Sequence, residues 1–341
     1  MSKRKLSRQQ QFRIDKVQQE RLARAQKKDQ KIEQAFATDQ LGEPRQGLVI
    51  AHFGATLDIE GENGEITRCS VRSNLPVLVT GDKVIWHADE KGEGQGVIVA
   101  LQERQSILTR PDYRGKLRPV AANVDRIIIV ACPSPRTPVN LIDRYLVATA
   151  HDDIQPVILL NKHDLIDQAP EMLEELKQYE DLGCITLIAS IHNEEELAAI
   201  KTLVAEGNSV FVGQSGVGKS SIISALLPGE DIRVGEISEA TGKGRHTTTT
   251  AKIYHIPSGG QLIDSPGIRE FGLWHITEED LDKGFPDVTE HAHYCKFNNC
   301  THTHEPKCAV KIAVENGELL ERRLNSYLAI RDSIDEVTMR S

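Results

Sequence analysis

An octapeptide of the form Gly-x-x-x-x-Gly-Lys-Ser occupies residues 213–220, directly after the apolar run 210–212 and before a segment with helical patterning. A strand, a glycine-rich loop and a helix in this order are typical of a phosphate-binding loop. The glycines let successive backbone N–H groups point at phosphate oxygens, and the lysine adds a positive charge. The amino terminus of the helix contributes further partial positive charge. The octapeptide therefore predicts an α/β domain that binds a nucleotide.

A second motif, Asn161-Lys162-His163-Asp164, lies upstream of this loop and follows the strand-like run 156–160. The Asp164 carboxylate can accept two hydrogen bonds, and guanine offers two donors, N1–H and the exocyclic amine, where adenine does not. Ala189-Ser190, after another strand-like run, is predicted to place a backbone N–H at guanine O6. In ordinary guanine-nucleotide switches the phosphate loop comes first. The reversed order predicts a circularly permuted domain.

Two further segments are predicted to complete the nucleotide site. Asp264, at the end of the strand-like run 261–263, is positioned to hold Mg²⁺ through water, and Gly267 can donate its N–H to the γ-phosphate. The Ser220 hydroxyl can join the Mg²⁺ shell. One threonine of the run Thr247–Thr250 is expected to bind the same ion, although the sequence does not decide which.

The residue that orients the attacking water is not the usual one. Familiar switches carry a glutamine directly after the Asp-x-x-Gly motif, and here that place holds Ile268. His246, in Gly-Arg-His-Thr, is the best substitute, and the alternative is that His246 is merely an exposed side chain. The sequence therefore predicts His246 as the catalytic residue.

Three of the six cysteines are clustered, at 295, 300 and 308. With His302 they offer three thiolates and one imidazole within fourteen residues, the ligand set of a closed structural Zn²⁺ site. His291, His293 and His304 are alternative ligands, and His304 is the strongest of them. Because four protein ligands leave no open position, the predicted site stabilises the fold and does not catalyse.

Charge is divided unequally along the chain. Residues 1–38 contain eleven Lys/Arg and four Asp/Glu, a net charge of +7. Because the whole chain has a net charge of −9, the residues after 38 carry a net charge of −16. A basic arm on an acidic body favours binding to a polyanion such as RNA, and the alternative is a solvated helix.

No apolar run has the roughly 20 residues of a membrane helix, and no apolar stretch follows the first residues. A cytoplasmic protein with no membrane partner is expected.

The chain is predicted to have four parts. Residues 1–38 form the basic arm, and short alternating runs broken by turns predict a small β-barrel over 39–108. Strands that alternate with helices predict a parallel sheet with helices on both faces over 109–273. Residues 274–341 hold the Cys/His cluster and then a helical stretch from Ala309 to about Val337.

These motifs together closely resemble the circularly permuted RsgA (YjeQ) family, from about residue 40 to the end. The resemblance implies an OB-fold barrel, a permuted GTPase core and a zinc-binding helical domain. It favours His302 over His304 as the fourth ligand of one structural zinc ion. The contacts with GTP that it and the motifs imply are Asn161, Lys162, His163, Asp164, Ser190, Gly213, Gln214, Ser215, Gly216, Val217, Gly218, Lys219, Ser220, Ser221, Asp264 and Gly267.

The resemblance also implies a function. It predicts a monomeric GTPase that uses Mg²⁺, assists late maturation of the small ribosomal subunit, binds its rRNA and is stimulated by that subunit. Two alternatives stay open at this point. The chain could serve another RNA or protein assembly, or it could be a GTP-gated RNA-binding module whose hydrolysis is incidental.

Overall fold

A computed structural model describes residues 41–53, 56–89, 95–111, 117–151, 154–229, 251–264 and 277–340. The chain divides into two compact units between Arg104 and Gln105. The basic arm at 1–38, for which RNA binding was predicted, lies outside the described residues. Within the described part, no helix combines the length and the apolar character needed to cross a membrane.

Five strands form the first unit. They are β1 (Leu41–Phe53), β2 (Thr56–Gly61), β3 (Ile66–Val71), β4 (Lys83–Asp89) and β5 (Gly96–Leu101). β1 pairs antiparallel with both β2 and β4, whereas β3 pairs parallel with β5. β2 with β3 and β4 with β5 complete the ring, so the strand order 1-2-3-5-4 closes back on β1. This closed five-stranded order confirms the predicted OB-fold barrel.

The barrel interior is filled by one face of each strand. Ile59, Trp86 and Ile98 are fully buried at its centre, as expected where side chains alternate between the two faces of a strand. The apolar run Val77–Val79 is not a strand, because a polar network holds it as a loop. The buried Asp82 carboxylate accepts the Val79 N–H (2.7 Å) and the Arg104 guanidinium (2.7 and 2.8 Å) there.

The second unit begins with a hairpin that the sequence analysis missed, β6 (Ile107–Pro111) and β7 (Leu117–Ala122). A six-stranded sheet follows, in the spatial order 10-9-8-11-13-12. Its strands are β8 (Arg126–Ala131), β9 (Gln155–Leu160), β10 (Ile185–Ile188), β11 (Asn208–Val212), β12 (Lys252–His255) and β13 (Gln261–Asp264).

The sheet is parallel except at β12. The pairs 10-9, 9-8, 8-11 and 11-13 are parallel, whereas β12 runs antiparallel to β13. β12 and β13 are consecutive and joined by a tight turn with left-handed glycines at 259 and 260, so they form a hairpin rather than a crossover. The predicted parallel sheet is otherwise confirmed.

Helices cover the sheet. They are α1 (Val139–His151), α2 (Glu171–Asp181), α3 (Glu194–Leu203) and α4 (Lys219–Leu226). Ile200 of α3 and Ile222 of α4 pack on Ile128 and Val130 of β8 in one buried cluster. The neighbouring strand residues point to the opposite face, where α1 contacts β8 and β9.

The C-terminal module, residues 277–340, contains α5 (Glu278–Gly284), α6 (Pro286–Ala292), α7 (Ala309–Glu315) and α8 (Glu321–Arg340). The prediction of a single helical stretch from Ala309 to about Val337 is wrong, because a turn between α7 and α8 interrupts the helix. Gly317 has a left-handed φ of 76° at the break. The module shares a buried cluster with Val147 of α1.

Candidate nucleotide and metal sites

The phosphate loop joins the carboxyl end of β11 to the amino terminus of α4. Gly213, Gly216 and Gly218 have φ values of 140°, 85° and 101°, which favour glycine. A Cβ on Gly213 would lie 2.5 Å from the Val130 carbonyl oxygen, and one on Gly218 would lie 2.4 Å from Asn161 Nδ2. The loop therefore depends on its glycines for both its curvature and its packing.

Lys219 is directed back along the loop. Its buried ammonium donates hydrogen bonds of 2.7 Å to the carbonyl oxygens of Gly213 and Gln214. An ammonium held at the centre of a curled backbone is the arrangement that the octapeptide predicts for a phosphate-binding loop.

The second motif packs directly on the phosphate loop, although about 50 residues of sequence separate them. The buried Asn161 donates from Nδ2 to the Val217 carbonyl oxygen (2.8 Å). Lys162, whose backbone is left-handed (φ 57°), donates from Nζ to the Gly216 carbonyl oxygen at 2.8 Å. The structure thus brings the two predicted halves of the site together.

Asp164 and Ser190 form the other wall of this site. The Ser190 hydroxyl, which is buried, donates to Asp164 Oδ1 at 2.7 Å. This hydrogen bond lowers the pKa of Asp164, which is exposed, so the carboxylate stays ionised. His163 is tied to the same wall, because its Nδ1 lies 3.4 Å from Glu196 Oε1 of α3.

A third loop contacts the phosphate loop and was not predicted. We call residues 132–138, Cys-Pro-Ser-Pro-Arg-Thr-Pro, the proline loop. Gln214 Nε2 donates to the carbonyl oxygens of Pro135 (3.0 Å) and Arg136 (3.2 Å), and Lys162 Nζ donates to that of Ser134 (2.7 Å). The sequence carried a signal for it, since three prolines directly follow the apolar strand β8 at the ligand-binding edge of the sheet.

The predicted magnesium ligands are described only in part. Ser220 lies in the first turn of α4, and Asp264 ends β13, which pairs with β11. A hydroxyl and a carboxylate at the same edge of the sheet suit Mg²⁺, which prefers oxygen ligands. His246, Thr247–Thr250 and Gly267 lie outside the described residues, so their roles stay predictions.

The four predicted metal ligands converge in the C-terminal module. The ligand atoms of Cys295, Cys300, His302 and Cys308 all lie within 4.8 Å of one another. A tetrahedral ion with bonds of about 2.3 Å to sulfur and about 2.0 Å to nitrogen separates two sulfurs by about 3.8 Å and sulfur from nitrogen by about 3.5 Å. The separation of the sulfurs of Cys295 and Cys308 is 3.8 Å, and His302 Nδ1 lies 3.7 and 3.4 Å from them.

The structure decides between the two candidate histidines. His302 is buried with a left-handed φ of 59°, and burial lowers its pKa, which favours the neutral imidazole that binds metals. His304 is exposed, and its Nδ1 lies 2.9 Å from the Thr303 hydroxyl. A Cys₃His cluster of this geometry can hold one metal ion.

Comparison with known proteins agrees with this geometry. The sequence profile of the RsgA GTPase family matches residues 101–274. A small ribosomal subunit biogenesis GTPase RsgA of Hahella chejuensis is 50% identical over 98% of both chains. Another of that name, from Ectopseudomonas mendocina, is 51% identical over 98% of this chain and 99% of its own.

The chain belongs to the RsgA GTPase family. Solved structures support the membership. YjeQ from Thermotoga maritima is 30% identical, with a TM-score of 0.68 over 86% of this chain and 99% of its own. YloQ, described as a circularly permuted GTPase, is also 30% identical, with a TM-score of 0.66 over 88% and 96% of the two chains. As an RsgA-family member this chain is a GTP hydrolase, and the predicted permutation is confirmed.

Proposed function

We propose that this GTPase binds GTP with Mg²⁺ in the permuted site, hydrolyses it to GDP and phosphate, and assists late maturation of the small ribosomal subunit. The observation that carries the proposal is the direct contact between the base-binding motif and the phosphate loop. Asn161 and Lys162 each donate a hydrogen bond of 2.8 Å to the loop. The names of the similar RsgA proteins support the ribosomal role.

Different residues of the site would contact different parts of the nucleotide. Asp164 would accept from N1–H and the amine of guanine, and its hydrogen bond from Ser190 fixes the carboxylate for that role. Asn161 Nδ2 has a second N–H that can be donated to the imidazole edge of the purine. Lys219 would exchange its hydrogen bonds to loop carbonyl oxygens for contacts with the β- and γ-phosphates.

Two metal ions are proposed to bind to the protein, one Mg²⁺ and one Zn²⁺. Ser220 and Asp264 would hold Mg²⁺, which neutralises the charge of the phosphates when it is bound. The Cys₃His cluster would hold one structural Zn²⁺, since its separations fit a tetrahedral ion of that size. His246 would orient the attacking water in the place of the missing glutamine.

Contact with rRNA is proposed for three parts of the chain. The basic arm supplies net positive charge. On the OB-fold barrel, Phe53 at the end of β1 is 54% exposed, and the Arg68 guanidinium lies 4.1 Å from the centroid of its ring. OB-folds bind oligonucleotides with β2, β3 and the β1–β2 loop, and aromatic rings there stack on bases. Exposed Tyr294 and Phe297 offer similar surfaces on the C-terminal module.

Base discrimination gives a first prediction. Replacing Asp164 with alanine is expected to weaken GDP binding about a hundredfold, because two hydrogen bonds to a charged group are lost. ADP, which does not use both bonds, should bind as weakly as before. Calorimetric titration of both nucleotides measures this. Asp167→Ala, an exposed aspartate in the same 3₁₀-helix (His163–Gln168), is the matched control and should leave GDP affinity unchanged. Equal losses in the two variants would contradict the proposed base site.

The ribosomal role gives a second prediction. Purified small subunits should raise the rate of GTP hydrolysis, and large subunits should not. His246→Ala should lower the stimulated rate about a hundredfold, a typical contribution of one catalytic side chain, without changing GDP affinity. A single-turnover phosphate-release assay with each subunit measures both effects. Stimulation by large subunits alone would refute the assigned partner. Normal subunit maturation by the His246→Ala variant would instead favour a GTP-gated binding module.

A further inference from the structure

One arginine joins the proline loop to a helix on the edge of the sheet. Arg136 binds Glu171 at 3.0 Å and Glu175 at 2.7 Å, both on α2. Its carbonyl oxygen, with that of Pro135, accepts the hydrogen bonds from Gln214 of the phosphate loop. These contacts give a continuous path from Gln214 of the phosphate loop to the first two turns of α2.

The third turn of α2 is contacted by another arginine, from the start of α8 in the C-terminal module. Arg322 Nε donates to Gln178 Oε1 at 2.5 Å, and its Nη1 donates to the Tyr179 hydroxyl at 3.4 Å. The guanidinium lies 4.9 Å from the centroid of the Tyr179 ring. The two arginines thus contact successive parts of the same helix, Arg136 its first two turns and Arg322 its third turn.

Helix α2 is suited to transmit a displacement. It has no glycine or proline within Glu171–Asp181, and Met172, Leu176 and Tyr179 are buried along one side. A helix held in this way moves as a rigid element. Its eleven residues span about 16 Å at 1.5 Å per residue, and Gln178, which Arg322 contacts, lies about one turn beyond Glu175, which Arg136 contacts.

We propose that α2 couples the phosphate loop to the C-terminal module, with Arg136 and Arg322 as positioning residues on successive turns of the helix. This regulation rests on the proposed nucleotide site. A nucleotide that orders the phosphate and proline loops holds Arg136, and with it α2, in one position. In that position Arg322 makes its hydrogen bonds with α2. By reciprocity of linkage, a partner that fixes the C-terminal module then raises nucleotide affinity by the same factor.

A double-mutant cycle on GDP affinity tests the coupling. Arg136→Ala and Arg322→Ala are each expected to weaken GDP binding about twofold to fivefold, the range for loss of a partly exposed ion pair at Arg136 and of a neutral hydrogen bond at Arg322. In the Arg136→Ala background, Arg322→Ala should have almost no further effect, because the path is already broken. Calorimetric titration of the full-length, metal-loaded proteins measures all four affinities. Losses that simply add, or an Arg322→Ala protein with normal affinity, would overturn the coupling.

Two further comparisons separate coupling from general damage to the fold. Glu175→Gln removes a partner of Arg136 and should weaken GDP binding, whereas Glu174→Gln makes the same charge change at an exposed position of α2 and should not. Gln178→Ala removes the acceptor of Arg322 and should repeat the Arg322→Ala result, which matters if that variant folds poorly. A wild-type protein that binds no GDP would refute the nucleotide site itself, not only its coupling.

Discussion

A protein with His302→Ala or Cys308→Ser is expected to lose the proposed zinc ion and, with it, the folded C-terminal module. Structural zinc sites contribute an apparent binding free energy of about 10–16 kcal/mol at neutral pH. Cys308 is buried in the same apolar cluster as Leu281, Phe285 and Val310, so loss of the ion also disturbs the packing of the module. Metal analysis should fall well below one zinc per chain, and the thermal unfolding of the module should move to lower temperature.

Matched substitutions make this result specific. Cys184→Ser changes a half-buried thiol that is not part of the cluster, and His304→Ala changes the exposed alternative ligand. Both should keep one zinc per chain. Chelation of the wild-type protein, followed by return of zinc, should remove and restore the same unfolding transition. Retention of zinc by His302→Ala together with its loss from His304→Ala would contradict the ligand assignment.

Arg323→Ala is expected to destabilise the second unit by about 3–5 kcal/mol, the usual consequence of leaving a buried charge without its partner. Arg323 is 1% exposed, and it binds Asp143 of α1 at 2.6 Å and Asp287 of α6 at 2.8 Å. Burial lowers the pKa of Arg323, but the hydrogen bonds to Asp287 and the charge of Asp143 outweigh burial and raise it. Without the guanidinium, the fully buried Asp143 carboxylate keeps only the Tyr179 hydroxyl among its described partners.

Urea unfolding of the metal-loaded protein measures this loss. The control is Lys283→Ala, which removes a cation of the same module from an exposed pair with Glu279, and it should change the free energy of unfolding by less than about 0.5 kcal/mol. The double variant Asp143→Ala, Arg323→Ala should lose less than the sum of the two single variants, because the two residues interact directly. A loss below about 1 kcal/mol for Arg323→Ala would contradict the expected cost of leaving a buried charge without its partner.

Local sequence patterns indicated most residues of the candidate nucleotide and metal sites, because those residues belong to short continuous segments. The octapeptide at 213–220 needs its glycines for curvature, and the same glycines identify it. The reversed order of the two motifs predicted the permutation. The contacts that join these segments were not predicted. Lys162 binds carbonyl oxygens of both the phosphate loop and the proline loop, and no pattern around it specifies those acceptors.

The sequence by itself determined the small β-barrel, the α/β core and the Cys₃His set, since hydrophobic periodicity and ligand chemistry are local properties. The residues alone left the choice between His302 and His304 open. Apart from the family resemblance, only the tertiary structure favours His302 as the fourth ligand, because the choice depends on a left-handed backbone and on burial. Only the tertiary structure joined Arg136, α2 and Arg322, and placed Arg323 between two aspartates. Those contacts link residues up to 180 positions apart, and such pairs form only when the packing of the helices brings them together.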